Sequence, residues 1–506
     1  MCLLSFCYDR LTADLREVNR GISVFPDIIA SSFQSSLDAD FLRLLMIRLF
    51  GHYVSKTFLA LGALEFLVSM FSLVAGYQLR IVLAGWVGDL QYGIWLPALL
   101  YASIVIISML AVGLYQRGTP FSAGMLVRIG IAFVFTGMAM SLFFYSFPDL
   151  FFGRGAMAYT MLFTFTGVLV LRSLFFRLVG REGQLHRVLV VGAGDNAAMI
   201  EREHDGSDGY RVVGYIRVHS TEQTIPESRL VDLDKPLIDL VRELDVDELV
   251  VAPDDRRRNL PVDEVLDCKM SGITVLDLLS FFEKETSRIK LEILHPSWIF
   301  FSQGFQMTSA AAYGKRLFDI LVSLVLLTVG LPFMILVALA VWLESGGRGS
   351  VLFHQTRVGL NGRLFRVHKF RSMRMDAESD GVARWASKND SRITRVGAVI
   401  RKTRLDELPQ LFNVLLGEMS IVGPRPERPE FVKQLAQEIP FYDERHRVKP
   451  GLTGWAQLCY QYGSSSDDAR NKLEFDLYYV KNASFFLDLI VLLETVEVVL
   501  WGKGAH

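Results

Sequence analysis

Four apolar stretches fill the first part of the chain, near residues 57–77, 92–115, 126–147 and 156–174. Each approaches the ~20 residues that cross a hydrocarbon core, so the pattern predicts four transmembrane helices. Glu65 interrupts the first stretch. A carboxylate in a span is costly and faces protein, so a packing contact is expected rather than a place near the helix end. The pattern changes after residue 181. Arg187-Val-Leu-Val-Val-Gly-Ala-Gly-Asp-Asn-Ala197 reads as a buried strand, a glycine-rich turn and a helix. Further strands are expected at 210–216, 248–252 and 272–276, with helical stretches such as 236–244 between them. Strands alternating with helices predict a parallel, doubly wound sheet. A fifth apolar run covers 317–343, long enough to span. Lys315 and Arg316 precede it, Arg348 and Arg357 follow it, and Pro332 sits near its middle. Basic residues at both ends argue that both ends stay on one side, and a mid-helix proline removes a backbone hydrogen bond. A re-entrant helix-break-helix satisfies both facts; an ordinary kinked span is the alternative.

Flanking charges set the orientation. Arg43, Arg48, Lys56, Arg117, Arg128, Arg177, Arg181 and Arg187 lie on one side of the four spans, against Arg80 and Arg154 on the other. That bias predicts a cytoplasmic N-terminus and places everything after residue 180 in the cytoplasm. No cleavable signal peptide is read in the first 30 residues. The 506 residues carry 53 Lys+Arg against 54 Asp+Glu, and 51% are hydrophobic against 21% charged. With a mean hydropathy of +0.31, these proportions exclude an intrinsically disordered chain. The near-neutral total argues against a globally basic nucleic-acid binder, so no nucleic-acid partner is expected. Cys2, Cys7, Cys268 and Cys459 form no C-x-x-C pair, which leaves zinc-ribbon and thioredoxin-like readings without support.

Candidate chemistry lies in several places. Gly192-x-Gly194-x-x-Ala197 suits a phosphate at a helix N-terminus, or equally a tight strand-to-helix turn without a ligand. No acidic residue follows the second strand, where Arg217, Val218 and His219 stand. From Lys315 to Trp455, 22 Lys+Arg face 14 Asp+Glu, a local excess that suggests phosphate ligands or lipid head groups. Within Arg401-Lys-Thr-Arg-Leu-Asp-Glu-Leu-Pro-Gln-Leu-Phe-Asn-Val-Leu-Leu-Gly417, the spacing of Leu408, Leu411, Phe412 and Leu415 is helical. Pro409 is tolerable in the first turn, so the helix is expected to start near Asp406. Asp406 and Glu407 would then sit at the positive end of its dipole. Adjacent residues point differently, so one carboxylate can attack while the other holds a cation; an acidic helix cap is the plainer alternative. In Ser420-Ile-Val-Gly-Pro-Arg-Pro-Glu427, Pro424 and Pro426 stiffen the backbone around Arg425, which can grip a phosphate. Lys449-Pro-Gly-Leu-Thr-Gly-Trp455 reads as a turn-rich loop bearing a cation. Phe365-Arg-Val-His-Lys-Phe-Arg-Ser-Met373 alternates like a strand. The tail, 484–501, is expected either in the membrane interface or packed on the catalytic core.

The stretch from Lys315 onward resembles the bacterial sugar transferases of the monotopic polyprenyl-phosphate phosphoglycosyl transferase superfamily. The matching motifs are Lys315-Arg316-x-Phe318-Asp319, Gln355-x-Arg357-x-Gly359, Lys369-Phe-Arg371-Ser-Met373, Asp406-Glu407-Leu-Pro-Gln410, Gly423-Pro-Arg425-Pro426 and Lys449-Pro-Gly-Leu-Thr-Gly454. The layout is similar to large members that start exopolysaccharide or O-antigen units, above all the exosortase-associated group. The resemblance implies an α/β protein with membrane helices. A four-helix transmembrane unit (46–180) is followed by a Rossmann-like nucleotide-binding-type domain (181–305) and an α-rich catalytic domain (313–506) with its re-entrant helix. Residues 1–45 are expected to be an extension or a misassigned start. The implied reaction moves a sugar 1-phosphate from a UDP-sugar, glucose or galactose before an amino sugar, to undecaprenyl phosphate. Asp406 attacks the sugar-bearing phosphate, UMP leaves, and polyprenyl phosphate then takes the phosphosugar. Glu407, with Asp406, would bind Mg²⁺. Arg401 and Arg425 would hold the phosphates, and Lys369, Arg371, Lys449, Pro424 and Pro426 complete the expected substrate-binding set. The break at Pro332 should persist, although leucine replaces the family's usual serine before it. A homodimer in the bacterial cytoplasmic membrane, multi-pass with its catalytic domain facing the cytoplasm, is the expected setting. A membrane-bound sugar-nucleotide dehydratase is the first rival, but no lysine has a tyrosine four residues upstream. A catalytically inactive scaffold is the second, opposed by the intact Asp406-Glu407 pair and Arg425.

Overall fold

The computed structural model describes residues 46–49, 52–85, 93–115, 123–179, 185–203, 209–218, 224–255, 260–305, 307–375, 377, 390, 392–460 and 465–501. The expected extension 1–45, and with it Cys2, Cys7 and Arg43, lies outside these residues, as do Arg117 and Arg181. A short antiparallel hairpin, β1 (Met46–Leu49) with β2 (His52–Ser55), leads into four apolar helices. These are α1 (Lys56–Ala84), α2 (Trp95–Ala111), α3 (Ala123–Ser146) and α4 (Arg154–Val179). Three are long and apolar enough to cross a membrane, whereas α2 has 17 residues. Arg128 falls inside α3 rather than between two spans. Glu65 makes the packing contact expected of it. Its partner Arg172, hidden in the fourth apolar stretch, donates from Nε at 2.6 Å and from NH2 at 3.1 Å. Tyr115 donates to the same carboxylate at 2.5 Å, and Arg172 also reaches the Leu114 carbonyl at 3.0 Å. Both charges are fully buried.

The next domain is the doubly wound sheet the alternation predicts. Its strands are β3 (His186–Val191), β4 (Tyr210–Ile216), β5 (Glu248–Val251) and β6 (Thr274–Asp277), all parallel in the order β4-β3-β5-β6. The helices are α5 (Asp195–Glu203), α6 (Leu237–Glu243), α7 (Val262–Met270) and α8 (Leu278–Thr286). Successive strand residues point to opposite faces. Val188 and Val190 accordingly pack with α5 and α8, while Leu189 and Val191 pack with α6 and α7.

After α9 (Pro296–Phe301), the 36-residue helix α10 (Ser309–Glu344) runs without interruption through Pro332. The predicted helix-break-helix is therefore corrected to one continuous helix containing a proline. The reason lies in its packing along the C-terminal domain. Asp319 is buried, accepting from Ser420 Oγ and Ile421 N, both at 2.9 Å. Lys315 reaches Asp488 at 2.5 Å. Farther along, Met334, Val337 and Val341 pack with Phe370 and Ile400, and Glu344 accepts from Val396 N at 3.1 Å. Contacts on both sides of Pro332 hold the helix, so one lost hydrogen bond does not break it. Leu321, Leu324, Val325, Ile335, Leu336 and Leu339 remain exposed on it.

The C-terminal domain continues with the hairpin β7 (Leu352–Val358) and β8 (Leu364–Phe370), then α11 (Arg395–Lys402), α12 (Gln410–Leu416), β9 (Ser420–Val422) and α13 (Pro429–Glu438). It ends with β10 (Gly451–Thr453), α14 (Trp455–Cys459), α15 (Ser466–Asn482) and α16 (Phe485–Trp501). The segment after Lys449 is more than a loop, because β10 pairs in parallel with β9. The tail helix α16 takes the packing alternative. Leu487 and Val491 join the hydrophobic core of the C-terminal domain, Asp488 binds Lys315, and Glu497 accepts from Arg128 of α3 at 2.9 Å. The α/β domain is tied on as well. Lys481 donates to the buried Glu283 at 2.6 Å, and Trp455 Nε1 donates to the Ser287 carbonyl at 2.9 Å.

Candidate active site

The acidic pair sits in a 3-10 turn, Leu405–Glu407, between α11 and α12. The α-helix begins only at Gln410, with Pro409 as its cap, so the predicted start near Asp406 moves by one turn. Arg404 stands in the left-handed region at φ 58°, which ends α11 and throws the turn sideways. A non-glycine residue held there stores on the order of 1 kcal/mol, a strain that gathers at functional sites.

The two carboxylates have opposite surroundings. Glu407 Oε1 receives Lys369 Nζ of β8 at 3.0 Å and Arg425 NH2 of the loop after β9 at 3.1 Å, with Arg404 NH1 at 3.9 Å. Burial pushes Glu407's carboxyl up. Lys369, Arg425 and Arg404 together outweigh it and hold the group well below the usual carboxylate range. Asp406 is equally buried, but its side chain makes no hydrogen bond or ion pair among the described residues. Burial, then the negative Glu407, push its carboxyl up to about 6 against the pull of Lys369, Arg401 and Arg425. Burial also lowers Lys369, with Glu407 opposing.

Arg425 is presented from a braced loop. Gly451 N bonds the Pro424 carbonyl at 2.9 Å, and Arg357 NH1 bonds that of Pro426 at 3.2 Å. Arg445 NH2 donates to the Arg425 carbonyl at 3.0 Å while paired with the buried Asp476 at 2.7 Å. The guanidinium thus keeps 36% of its side chain exposed on a fixed stem.

Of the residues singled out from sequence, Asp406, Glu407, Lys369, Arg425 and the prolines beside it converge, and Arg401 adds its field at Asp406. Two others do not join them. Arg371 points to the Arg348 carbonyl at 3.5 Å, beyond the end of α10. Lys449 lies beside Arg316 and Asp319, at the far end of α12. Sequence reading missed the roles of Arg404, Arg445 and Asp476, which carry no motif of their own. Arg357 stood within a quoted motif without a role.

Cations outnumber carboxylates around Asp406, which suits a diphosphate. A divalent ion has donors here too. Asp406 is unbonded, and both close contacts on Glu407 fall on Oε1, leaving Oε2 for a metal whose remaining ligands come from phosphate. Among the described residues one other cluster, His186, Glu248 and Glu285, has metal-like spacing. Lys284 already pairs with Glu248 there and stands 3.4 Å from Glu285, so that cluster carries its own cation.

The glycine-rich turn of the α/β domain is filled by the protein itself. Asp254 accepts from Asp195 N at 3.0 Å and Asn196 N at 2.9 Å, the amides a phosphate would need. Of the two readings of Gly192 and Gly194, this arrangement is that of a tight strand-to-helix turn whose amides the protein itself satisfies. Gly192, at φ 136°, lets the turn pass Ala252, and Gly194 makes room for Asp254.

A family model described as bacterial sugar transferase matches residues 310–502, and one described as CoA-binding domain matches 111–254. The chain is 44% identical over 240 residues to a UDP-N-acetylgalactosamine-undecaprenyl-phosphate N-acetylgalactosaminephosphotransferase of Aeromonas hydrophila, covering 47% of this chain and 55% of that protein. It therefore spans about half of that relative's length. It is 47% identical over 197 residues to an exopolysaccharide production protein of Rhizobium leguminosarum bv. phaseoli, covering 38% of this chain and 97% of the relative. An undecaprenyl-phosphate galactose phosphotransferase of Salmonella typhimurium is 29% identical over 371 residues, 69% of this chain and 76% of its own.

Proposed function

The chain belongs to the bacterial sugar transferase family, and from that premise we propose that it transfers a sugar 1-phosphate from a UDP-sugar to undecaprenyl phosphate, releasing UMP. The observation that carries this reading is the contrast within the acidic pair: Glu407 is held by two cations, while Asp406 is buried, unbonded and raised to about 6. Near neutral pH Asp406 is mostly ionised, and its poor solvation leaves it reactive. A carboxylate oxygen of Asp406 attacks the sugar-bearing phosphorus. The bond from that phosphorus to the bridging oxygen breaks, and UMP departs with the electron pair. An oxygen of undecaprenyl phosphate then attacks the same phosphorus, the bond to Asp406 breaks, and the carboxylate is restored. Two displacements replace one difficult transfer.

Lys369 and Arg425 fix Glu407 and face the diphosphate, and Arg401 adds positive potential. Asp406 and Glu407 are the residues that would hold Mg²⁺, whose contribution is to offset the phosphate charge. Contacts of α10 with one domain at Lys315 and at Glu344 support both ends lying on one side of the membrane, with its exposed leucines facing lipid. The bias of flanking cations supports the cytoplasmic face of a bacterial inner membrane. The relatives' names point to glucose, galactose and N-acetylgalactosamine, so the UDP forms of these sugars are the first donors to test.

UMP release from that panel, by full-length protein in nanodiscs with undecaprenyl phosphate and Mg²⁺, tests the reading. One donor should give UMP, and Asp406→Asn should give none. Mass spectrometry of donor-treated wild type should find the phosphosugar on the peptide carrying Asp406. Unimpaired turnover by Asp406→Asn would exclude the mechanism.

A further inference from the structure

Lys449 was expected among the substrate-binding residues, yet it stands at the other end of α12 from the acidic pair. Gly417 closes that helix in the left-handed region at φ 84°. A Cβ placed on it would lie 3.5 Å from Arg316 NH2 and 3.6 Å from Lys449 Nζ. The missing side chain therefore leaves a notch with two cations on its wall. Neither cation is neutralised by a carboxylate among the described residues. Arg316 donates only to the Val414 and Leu415 carbonyls, both at 2.6 Å, and Lys449 makes no hydrogen bond or ion pair. Asp319, whose charge is felt at Lys449, is buried and turned to Ser420 and Ile421. Lys315, by contrast, has its own partner in Asp488. Two like charges side by side, one of them half-buried, are costly until an anion arrives.

The position of the notch says which anion. Arg316 is the last basic residue before the apolar run of α10, where Leu317, Leu321 and Leu324 are exposed. Cations at the start of a lipid-facing helix lie at the depth of phosphate head groups. We propose that Arg316, Lys449 and the notch at Gly417 form a second anion site, separate from the Asp406–Glu407 cluster, that takes a lipid-borne phosphate at the membrane interface. Two lipids carry that chemistry: a polyprenyl phosphate through its monoester, and a phospholipid through its diester. Assignment to the acceptor rests on the proposed reaction; the existence of the site does not.

Native mass spectrometry of delipidated full-length protein tests it without turnover. Wild type, Lys449→Gln and Lys449→Arg are titrated separately with undecaprenyl phosphate and with phosphatidylglycerol. Arg316 is left intact because it caps α12. Loss of a charge-assisted contact to phosphate should weaken binding by about tenfold in Lys449→Gln, and Lys449→Arg should restore most of it. A loss confined to undecaprenyl phosphate identifies the acceptor, and a loss that includes phosphatidylglycerol identifies a head-group site. Equal affinity of wild type and Lys449→Gln for both lipids overturns the proposal. If Lys449→Gln fails to fold, the salt dependence of binding by Lys449→Arg and wild type decides, and salt-independent binding overturns it. Because binding is read directly, absence of sugar transfer by wild type would refute the reaction and leave this result standing.

Discussion

Asp406→Asn should stabilise the protein that it inactivates. In the folded chain the Asp406 carboxyl holds its proton up to about 6, against 3.8 for an unperturbed aspartate. Between those values the folded state binds more protons than the unfolded one, so stability falls as pH rises through that window. Above about pH 7 the ionised group carries its whole penalty. At 1.36 kcal/mol for each pH unit between the two values, that is about 3 kcal/mol. Asp406 is only 8% exposed, so solvent screens little of this. Asparagine keeps the shape and removes the charge. With about 2–4 °C per kcal/mol for a domain of this size, the melting temperature should rise by several degrees at pH 7.5. The gain must shrink on acidification, to roughly half at pH 5, because the wild-type carboxyl then carries its own proton. The assay is thermal unfolding of metal-free protein in detergent at both pH values. An unchanged or lower melting temperature at pH 7.5 would refute the reasoning. A gain that does not depend on pH would refute it too, since it would then arise from packing rather than charge.

Three further outcomes are expected. Glu65→Ala leaves Arg172 charged and buried in the membrane unit, which should cost about 3–5 kcal/mol and sharply lower the yield of folded protein; Glu65→Leu with Arg172→Leu should recover much of it, as read by fluorescence-detected size exclusion. Asp254→Ala uncovers two amides of α5 and should lower the melting temperature by the equivalent of about 1–2 kcal/mol, while nucleotides leave the wild-type melting temperature unmoved. Arg445→Lys keeps the charge beside Asp476 but loosens the Arg425 carbonyl, so the KM for the sugar nucleotide should rise about tenfold with kcat changed much less; equal losses in both, with a lowered melting temperature, would reduce Arg445 to a structural role.

The coarse architecture was open to the pattern of side chains, because apolar length and strand-helix alternation are local properties. The parallel sheet follows from residues such as Val188 to Val191, which pack on both faces and so form an unbroken apolar run. Interactions between distant segments were not open to it. Arg172 hid among apolar neighbours because its partner Glu65 lies 107 residues away. Asp254 fills the glycine-rich turn from 59 residues beyond Asp195, so the motif showed the shape of the turn but not its occupant. Pro332 misled for a related reason. A proline weakens a helix locally, and here the packing of Asp319, Met334 and Val341 on either side holds it.

The acidic pair shows where local reading stops. Asp406 and Glu407 share one turn, and nothing in their order says which is held and which is left open. The choice is made by β8 and the loop after β9, whose Lys369 and Arg425 both reach the longer side chain. Glutamate has one methylene more, enough to bring Oε1 to two cations; aspartate stays short of them and buried. The environment therefore moves two neighbouring carboxyls in opposite directions, one below the carboxylate range and one up to about 6. Neutralising Lys369 should act on both. In Lys369→Met, Glu407 loses its nearest cation and Asp406 loses an attractive field, so both carboxyls rise. The acid limb of the proposed reaction's kcat/KM profile, set by Asp406, should then move to higher pH. A limb that stays in place while the rate falls would mean that Lys369 serves only to bind substrate, and that the field on Asp406 is set by Arg401 and Arg425 alone.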